Sequence, residues 1–258
     1  MSSKMLLVET DKRITTITLS RPQARNALNS EMVDELRALI EQLKSDADTR
    51  AVILTGAGKT FSAGADVDML MRLNADADGE ATRAEIGKWR ATFDALERLP
   101  QITVAAINGL ALGGGVVLAL ACDFRIASSR AIFGLPEIKL GMVLALGGTQ
   151  RLTRVVGIGA AKEMILRGRN VTAPEAQRLG LVHRVCDPGD LMGLARNWAD
   201  REVIHSARAR ALAKELINES YQRTPDESAE AETTAQVELL HSPEFASRVQ
   251  DLKESGEI

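Results

Sequence analysis

A chain of 258 residues that is 45% hydrophobic and 26% charged has the balance of a globular protein, long enough to bury a core without disulfide or metal staples. A formal charge of -3 excludes a general nucleic-acid binder relying on a net basic surface, and with only 3% aromatic residues the core must come from Ala, Leu, Ile and Val. Cys122 and Cys186 match no metal spacing and read as buried free thiols. The opening "MSSKMLLVETDKRITT" has no secretory apolar region, so a cytoplasmic protein is expected.

In chain order, "KMLLVE" and "RITTITLS" predict a hairpin around Thr10 and Asp11. "RPQARNALN" reads as a loop, after which Asn29 or Ser30 caps a helix with Met32, Leu36, Ile40 and Leu43 on one face. "AVILTG" at 51–56 is a buried strand, and "GAGKTFSAGAD" a glycine-broken turn. The polar, acidic stretch 73–84 reads as a mobile connector, followed by a helix over 86–98 with Ile86, Trp89, Phe93 and Leu96 on a common side.

From Leu99 to Cys122 there is no charged residue, a length that can cross a bilayer. Against a span stand Gln101, Thr103, Asn108 and the consecutive Gly113, Gly114 and Gly115, each glycine weakening a helix by about 1 kcal/mol relative to Ala. The stretch therefore reads as two pieces, a buried strand "ITVAAI" and a buried helix "GGVVLALAC", with glycines turning the chain between them. "FRIASSRAIFGLPEIKLGM" reads as short strands broken by Gly134 and Pro136, and the last third as helical. Thr172-Ala173-Pro174-Glu175 and Thr224-Pro225-Asp226-Glu227 have the form of capping boxes.

Several familiar motifs fail. Gly58-Lys59-Thr60 ends like a phosphate-binding loop, but Ile53 stands where its first glycine belongs. Gly113 to Gly115 make no dinucleotide fingerprint, because Leu118 occupies the sixth position. His183, His205 and His241 are scattered, which points to no metal or triad. What remains is a pair of glycine turns, Ala63-Gly64-Ala65-Asp66 and Gly113-Gly114-Gly115, each after a buried strand and leading towards a helix. Two such turns side by side would offer two backbone N–H donors to one oxygen, an oxyanion hole; the same glycines also serve tight helix–strand packing.

Over nearly the whole chain these segments resemble the crotonase, or enoyl-CoA hydratase/isomerase, superfamily. "LSRPQARNALNSEM", "FSAGADVDML", "AAINGLALGGGVVLALACDFRIAS", "FGLPEIKLGMVLALGGTQRLTRVVG" and "TAPEAQRLGLVHRV" follow in that family's order and spacing. The resemblance implies an α/β fold, a spiral of ββα units over residues 1–200, with a helical trimerisation region over 201–258 and assembly as a homotrimer or dimer of trimers. It implies an acyl-CoA thioester substrate, with no cofactor beyond the coenzyme A that the substrate carries, and no nucleic-acid or membrane partner. By matched position, the N–H groups of Ala65 and Gly114 would hold the thioester oxygen, with Gly113 beside them. The backbone around Ala24, Ala63, Asp66 and Val67 would line the CoA groove, and Arg25 would reach a phosphate; Arg21 and Arg25 read equally as solvated loop charges. Asp66 reads as structural, bonded to backbone in its turn.

Hydratases of the family use two glutamates. One matches Glu137; the other falls on Val117, which cannot activate water. One acid/base with an oxyanion hole suffices to shift a carbon–carbon double bond, so the resemblance implies an isomerase with Glu137 as base and acid. A hydratase in which Glu137 handles both protons, and a non-catalytic acyl-CoA binding protein, are the alternatives. The chain also departs from the family at Asp68, where a basic residue is common, at Leu144, which replaces a common proline, and at Ser247-Arg248, where the tail usually carries Glu-Gly.

Overall fold

The computed structural model describes residues 5–203 and 206–255. They form two compact units, one ending at Glu202 and the other beginning at Val203. The first unit opens with a hairpin, β1 (Leu6–Asp11) and β2 (Ile14–Leu19), and continues through α1 (Ser30–Ser45). The hairpin turns at Lys12 and Arg13, both with positive φ, two residues later than "Thr10-Asp11" suggests, because Thr10 and Asp11 pair with Thr15 and Ile14. Asn29 is the cap of α1: its Oδ1 accepts from the Met32 N–H at 3.0 Å. The anticipated face, Met32, Leu36, Ile40 and Leu43, is buried.

The spiral follows. Strand β3 (Ala51–Gly56) leads to β4 (Thr60–Ser62), then to α2 (Val67–Asn74) and α3 (Glu80–Glu97). Strand β5 (Ile102–Ile107) leads to β6 (Leu110–Leu112) and α4 (Gly114–Leu120). Strand β7 (Phe124–Ser128) leads to β8 (Ile132–Gly134), a 3-10 turn Pro136–Leu140, and α5 (Gly148–Arg167), which is broken at Gly157. Strand β9 (Asn170–Thr172), α6 (Ala173–Arg178), β10 (Arg184–Cys186) and α7 (Leu191–Val203) complete the order. Each turn thus gives one strand to a six-stranded sheet, β1-β2-β3-β5-β7-β10, and one to a four-stranded sheet, β4-β6-β8-β9. Strands β2, β3, β5, β7 and β10 run parallel, which requires both faces to be covered. Accordingly every residue of β3 and β5 is buried, and so is every residue of α4. This is the ββα spiral that the resemblance implies.

The uncharged stretch after Leu99 makes three pieces rather than two: β5, β6 and α4. Among the described residues no helix is long and apolar enough to cross a membrane. The connector expected over 73–84 shrinks to residues 75–79, because α3 begins at Glu80, six residues before the apolar periodicity does. Thr82 closes this corner, its N–H donating to Asp76 Oδ2 at 2.9 Å and its hydroxyl to the Leu73 carbonyl at 3.2 Å. Of the two cysteines only Cys122 is fully buried; Cys186 is half-buried, and burial pushes its thiol up. Thr172 makes no side-chain cap, so the box does not close there, and Glu175 pairs with Arg169 at 2.6 Å.

The second unit consists of α8 (Ala207–Glu219), α9 (Pro225–Leu240) and α10 (Pro243–Ser255). The capping box at Thr224 forms: Thr224 Oγ1 accepts from the Glu227 N–H at 3.3 Å while Glu227 Oε2 accepts from the Thr224 N–H at 2.8 Å. His205 lies outside the described residues.

One buried side chain ties the first loop to the spiral. Asn26 Nδ2 donates to the carbonyls of Ala57 and Thr60 at 2.9 and 2.7 Å, and its Oδ1 accepts from the Arg21 N–H at 2.9 Å. Its own backbone carbonyl accepts from Ser62 Oγ at 2.8 Å. Asn26→Ala takes away the partner of the Arg21 N–H and the Ala57 carbonyl, leaves the Thr60 carbonyl only Asn108 at 3.4 Å, and is expected to cost about 1–3 kcal/mol, read as a lowered urea midpoint at unchanged slope.

Candidate active site

The first glycine turn is held against loop 21–28. The Leu28 N–H donates to the Gly64 carbonyl at 2.7 Å, and the Asp66 N–H donates to the Leu28 carbonyl at 2.8 Å. In this parallel bridge Leu28 uses the residues either side of Ala65, so the N–H of Ala65 itself points away from it. Asp66 then caps α2, Oδ1 accepting from the N–H groups of Asp68 and Met69 at 3.0 and 3.3 Å. Its Oδ2 pairs with Arg21 at 2.9 Å. Burial pushes the Asp66 carboxyl up, but Arg21 and the backbone donors outweigh this and hold it below the usual range. Asp66 is structural, as expected, and Arg21 is part of its lock, also donating to the Ala27 carbonyl at 2.6 Å. Arg25 is exposed, with φ at +52°.

The second turn places Gly113, at φ +47°, before α4, whose first residue is Gly114. An N–H at that position has no carbonyl one turn earlier to bond. The two turns touch. A Cβ on Gly64 would stand 2.6 Å from the Leu112 carbonyl and 3.3 Å from the Gly114 nitrogen, and one on Gly114 would stand 3.7 Å from the Ala65 nitrogen. Two backbone donors from separate turns therefore flank one small space.

Glu137 comes from the 3-10 turn after β8 and lies over Gly113. A Cβ at Gly113 would collide with Glu137 Oε1 and stand 3.2 Å from its Cδ, so a side chain there would push this carboxyl from its place, and the positive φ favours glycine as well. Glu137 Oε2 is buried with no hydrogen-bond partner. Burial pushes the carboxyl above its usual range, with only its own backbone N–H acting the other way.

Ala65, Gly114, Val117 and Glu137 line one cavity of about 120 Å³. Its remaining walls are Met69, Leu73, Ile86 and Trp89 on one side and Met142 to Leu146 on the other, with Glu85 among them. Ala24, Arg25, Ala63, Asp66 and Val67 do not line it. Two of them are joined by the Ala63 N–H donating to the Arg25 carbonyl at 3.0 Å, and Val67 is 69% exposed.

The loop Met142–Leu146 is anchored at both ends. The Met142 N–H donates to the Glu137 carbonyl at 2.9 Å. Leu146, a branched residue at φ +59°, is held by Arg151 Nη1 donating to its carbonyl at 2.8 Å. Arg151 is buried and also pairs with Asp94 at 2.5 Å and Glu97 at 2.7 Å, both on α3. The loop and the helix that face each other across the cavity thus share one guanidinium. Leu144 and Val117 crowd Gly148 so closely that a Cβ there would stand 2.6 Å from Val117 Cγ2. Sequence reasoning missed Asn26, Glu85, Leu146 and Arg151. Only Glu85 carried a signal, its i, i+4 spacing to Trp89 on one helix face.

The sequence profile described as enoyl-CoA hydratase/isomerase matches residues 9–257, so the chain belongs to the enoyl-CoA hydratase/isomerase family. It is 41% identical over 231 residues to the short-chain-enoyl-CoA hydratase of Clostridium acetobutylicum, covering 89% of this chain and 87% of that one. It is 36% identical to the crotonyl-CoA hydratase of Syntrophomonas wolfei, covering 91% and 89%. The crystal structure of enoyl-CoA hydratase from Bacillus anthracis superposes with a TM-score of 0.92 at 37% identity, covering 98% of this chain and 97% of that one.

Two outcomes are expected from this geometry. Glu137 favours its neutral form in the fold, so its contribution to stability is present below the pKa of the unfolded carboxyl and is lost as pH rises through the higher folded value. Glu137→Gln should therefore raise the melting temperature at neutral pH, with the gap closing in acid; thermal scans across pH check this. Arg151→Met removes the buried cation that Asp94 and Glu97 share and frees the Leu146 carbonyl, at an expected cost of about 3 kcal/mol in urea unfolding.

Proposed function

We propose that the protein shifts a double bond in an enoyl-CoA thioester by proton transfer through one glutamate. In this reading the thioester oxygen sits between the N–H groups of Ala65 and Gly114. Glu137, ionised, takes a proton from C2 of a 3-enoyl-CoA. The C–H electron pair moves into the dienolate, whose oxygen the two donors stabilise. The same carboxyl, now protonated, returns the proton to C4, and the double bond ends between C2 and C3. Desolvation of Glu137 supports this, because a carboxyl pushed up from its usual range is the stronger base for such a step.

The observation that carries the isomerase reading is Val117. It is fully buried and lines the cavity beside Glu137, where a hydratase of the family would bring its second glutamate. The other carboxylate in the wall, Glu85, is engaged by Ser30, Trp89 and Lys88. Hydration of a 2-enoyl-CoA is the second reading, favoured by the hydratase names of the similar proteins.

Ala24, Arg25, Ala63, Asp66 and Val67, which do not line the cavity, would take the coenzyme A part of the substrate. Self-association as a homotrimer or dimer of trimers is supported by the apolar side chains that the helical tail exposes, Ile217, Tyr221, Val237, Leu240 and Phe245. Sedimentation equilibrium of the purified chain tests it. The cytoplasm fits as the place of action.

The central test follows conjugated-thioester absorbance. A 3-enoyl-CoA should give rising absorbance, with the rate falling at least about a thousandfold in Glu137→Gln. The acid limb of kcat/KM should lie above the pH of an ordinary glutamate, since the base must be ionised and burial pushes it up. Falling absorbance from a 2-enoyl-CoA with a 3-hydroxyacyl product would instead establish the hydratase, and binding without turnover of either ester would leave a non-catalytic acyl-CoA binding protein.

A further inference from the structure

Leu146 holds a conformation that its own side chain makes costly. At φ +59° the Cβ of a branched residue crowds the backbone carbonyl oxygen, whereas glycine takes such angles freely, as Gly147 does next to it at φ +76°. The surroundings enforce the angle. The Gly148 N–H donates to the Ala145 carbonyl at 2.8 Å, and Arg151 Nη1 donates to the Leu146 carbonyl at 2.8 Å. Gly147 makes room for that guanidinium, since a Cβ there would stand 2.5 Å from Nη1. A glycine at 146 would reach the same backbone without crowding, so strain that persists here points to a use for the side chain.

The side chain ends beside the donors. Leu146 lines the cavity together with Ala65 and Gly114. The place a Cβ would take on Gly114 is 3.8 Å from Leu146 Cδ1, 3.6 Å from Leu28 Cδ1 and 3.7 Å from the Ala65 nitrogen. Two leucine methyls from separate loops therefore lie where the two turns meet. Leu28 is fully buried and Leu146 half-buried, and Val117 and Leu144 continue the apolar wall. None of these side chains can hold a water by a hydrogen bond. An N–H donor does more for an oxygen when no water competes and the local dielectric is low.

Resting on the reading of Ala65 and Gly114 as donors to a thioester oxygen, we propose that Leu146 is a positioning residue for that reaction. Its methyl end keeps water from the two N–H groups, so that they polarise the thioester carbonyl more strongly than a solvated pair would. Arg151 acts through it, by holding the backbone that aims the side chain.

Infrared difference spectra of butanoyl-CoA, labelled with heavy carbon at the thioester carbonyl, test this without turnover, because a saturated ester has no double bond to shift. With the ester fully bound to the wild type, the carbonyl band should move to lower frequency than in the free ester. Leu146→Met, apolar and of similar volume, should keep most of that shift. Leu146→Asn tolerates the left-handed angle but is polar, and Leu146→Gly removes the side chain and the crowding together; each should lose at least half of the shift. In both, kcat for a 3-enoyl-CoA should fall about tenfold, with KM changed less. A residue that merely packs would lower the urea midpoint and leave the carbonyl band where it was. A shift kept by both the Asn and Gly variants, or lost equally in the Met variant, overturns the proposal and leaves the two donors in place. An unshifted band in the bound wild type removes the two-donor reading and this proposal with it.

Discussion

The site depends on two backbone turns being allowed to touch. At Gly64 a side chain would strike the Leu112 carbonyl, at Gly115 the Ser62 carbonyl, and at Gly113 the carboxyl of Glu137. A side chain at Gly64 or Gly115 would meet backbone that cannot give cheaply, and one at Gly113 would displace the Glu137 carboxyl. Much of the surrounding architecture serves this approach. The parallel strands β3 and β5 bring the two turns out at the same edge, because each strand runs the same way and is followed by a short strand of the second sheet. Leu28 then fixes the first turn through backbone bonds, and the Asn26 side chain holds the segment leading into it.

Carboxyl groups around the site are sorted by what surrounds them. Asp66 and Glu85 are furnished with donors and stay ionised; both are structural anchors at helix-bearing segments. Glu137 is desolvated with one oxygen unpartnered, which costs stability and sets it apart from the other two as the candidate for proton transfer. The contrast assigns roles among acids that look alike in a sequence. Arg151 adds a second layer of order. It holds a leucine in a left-handed conformation and binds the helix across the cavity, so wall and loop are set by a single buried cation.

Long periodic or continuous apolar segments were legible. Strands β3 and β5, helix α1 and the buried α4 follow directly from spacing, since burying an apolar face is the dominant local instruction. The three-residue strands β4, β6 and β8 were not separable from turns, because a strand that short has no period to read. They exist because the parallel neighbours supply their hydrogen bonds. The start of α3 was placed late, as its first turn is polar and its Ala, Glu and Arg residues carry helix propensity without an apolar stripe. Among site residues, the glycine turns and Glu137 stood out by motif, whereas Arg151 and Asn26 looked like any loop or helix polar residue.

The sequence by itself determined the core strands, the glycine turns, the family's order of motifs and the single glutamate set against Val117, all of which are local patterns of residue type. Only the tertiary structure decided that Ala65 and Gly114 face one space, that Glu137 is desolvated above Gly113, and that Glu85 enters the same wall from α3. Those facts depend on segments far apart in the chain meeting in register, and on which donors burial leaves within reach of each carboxylate, neither of which any short window of residues contains.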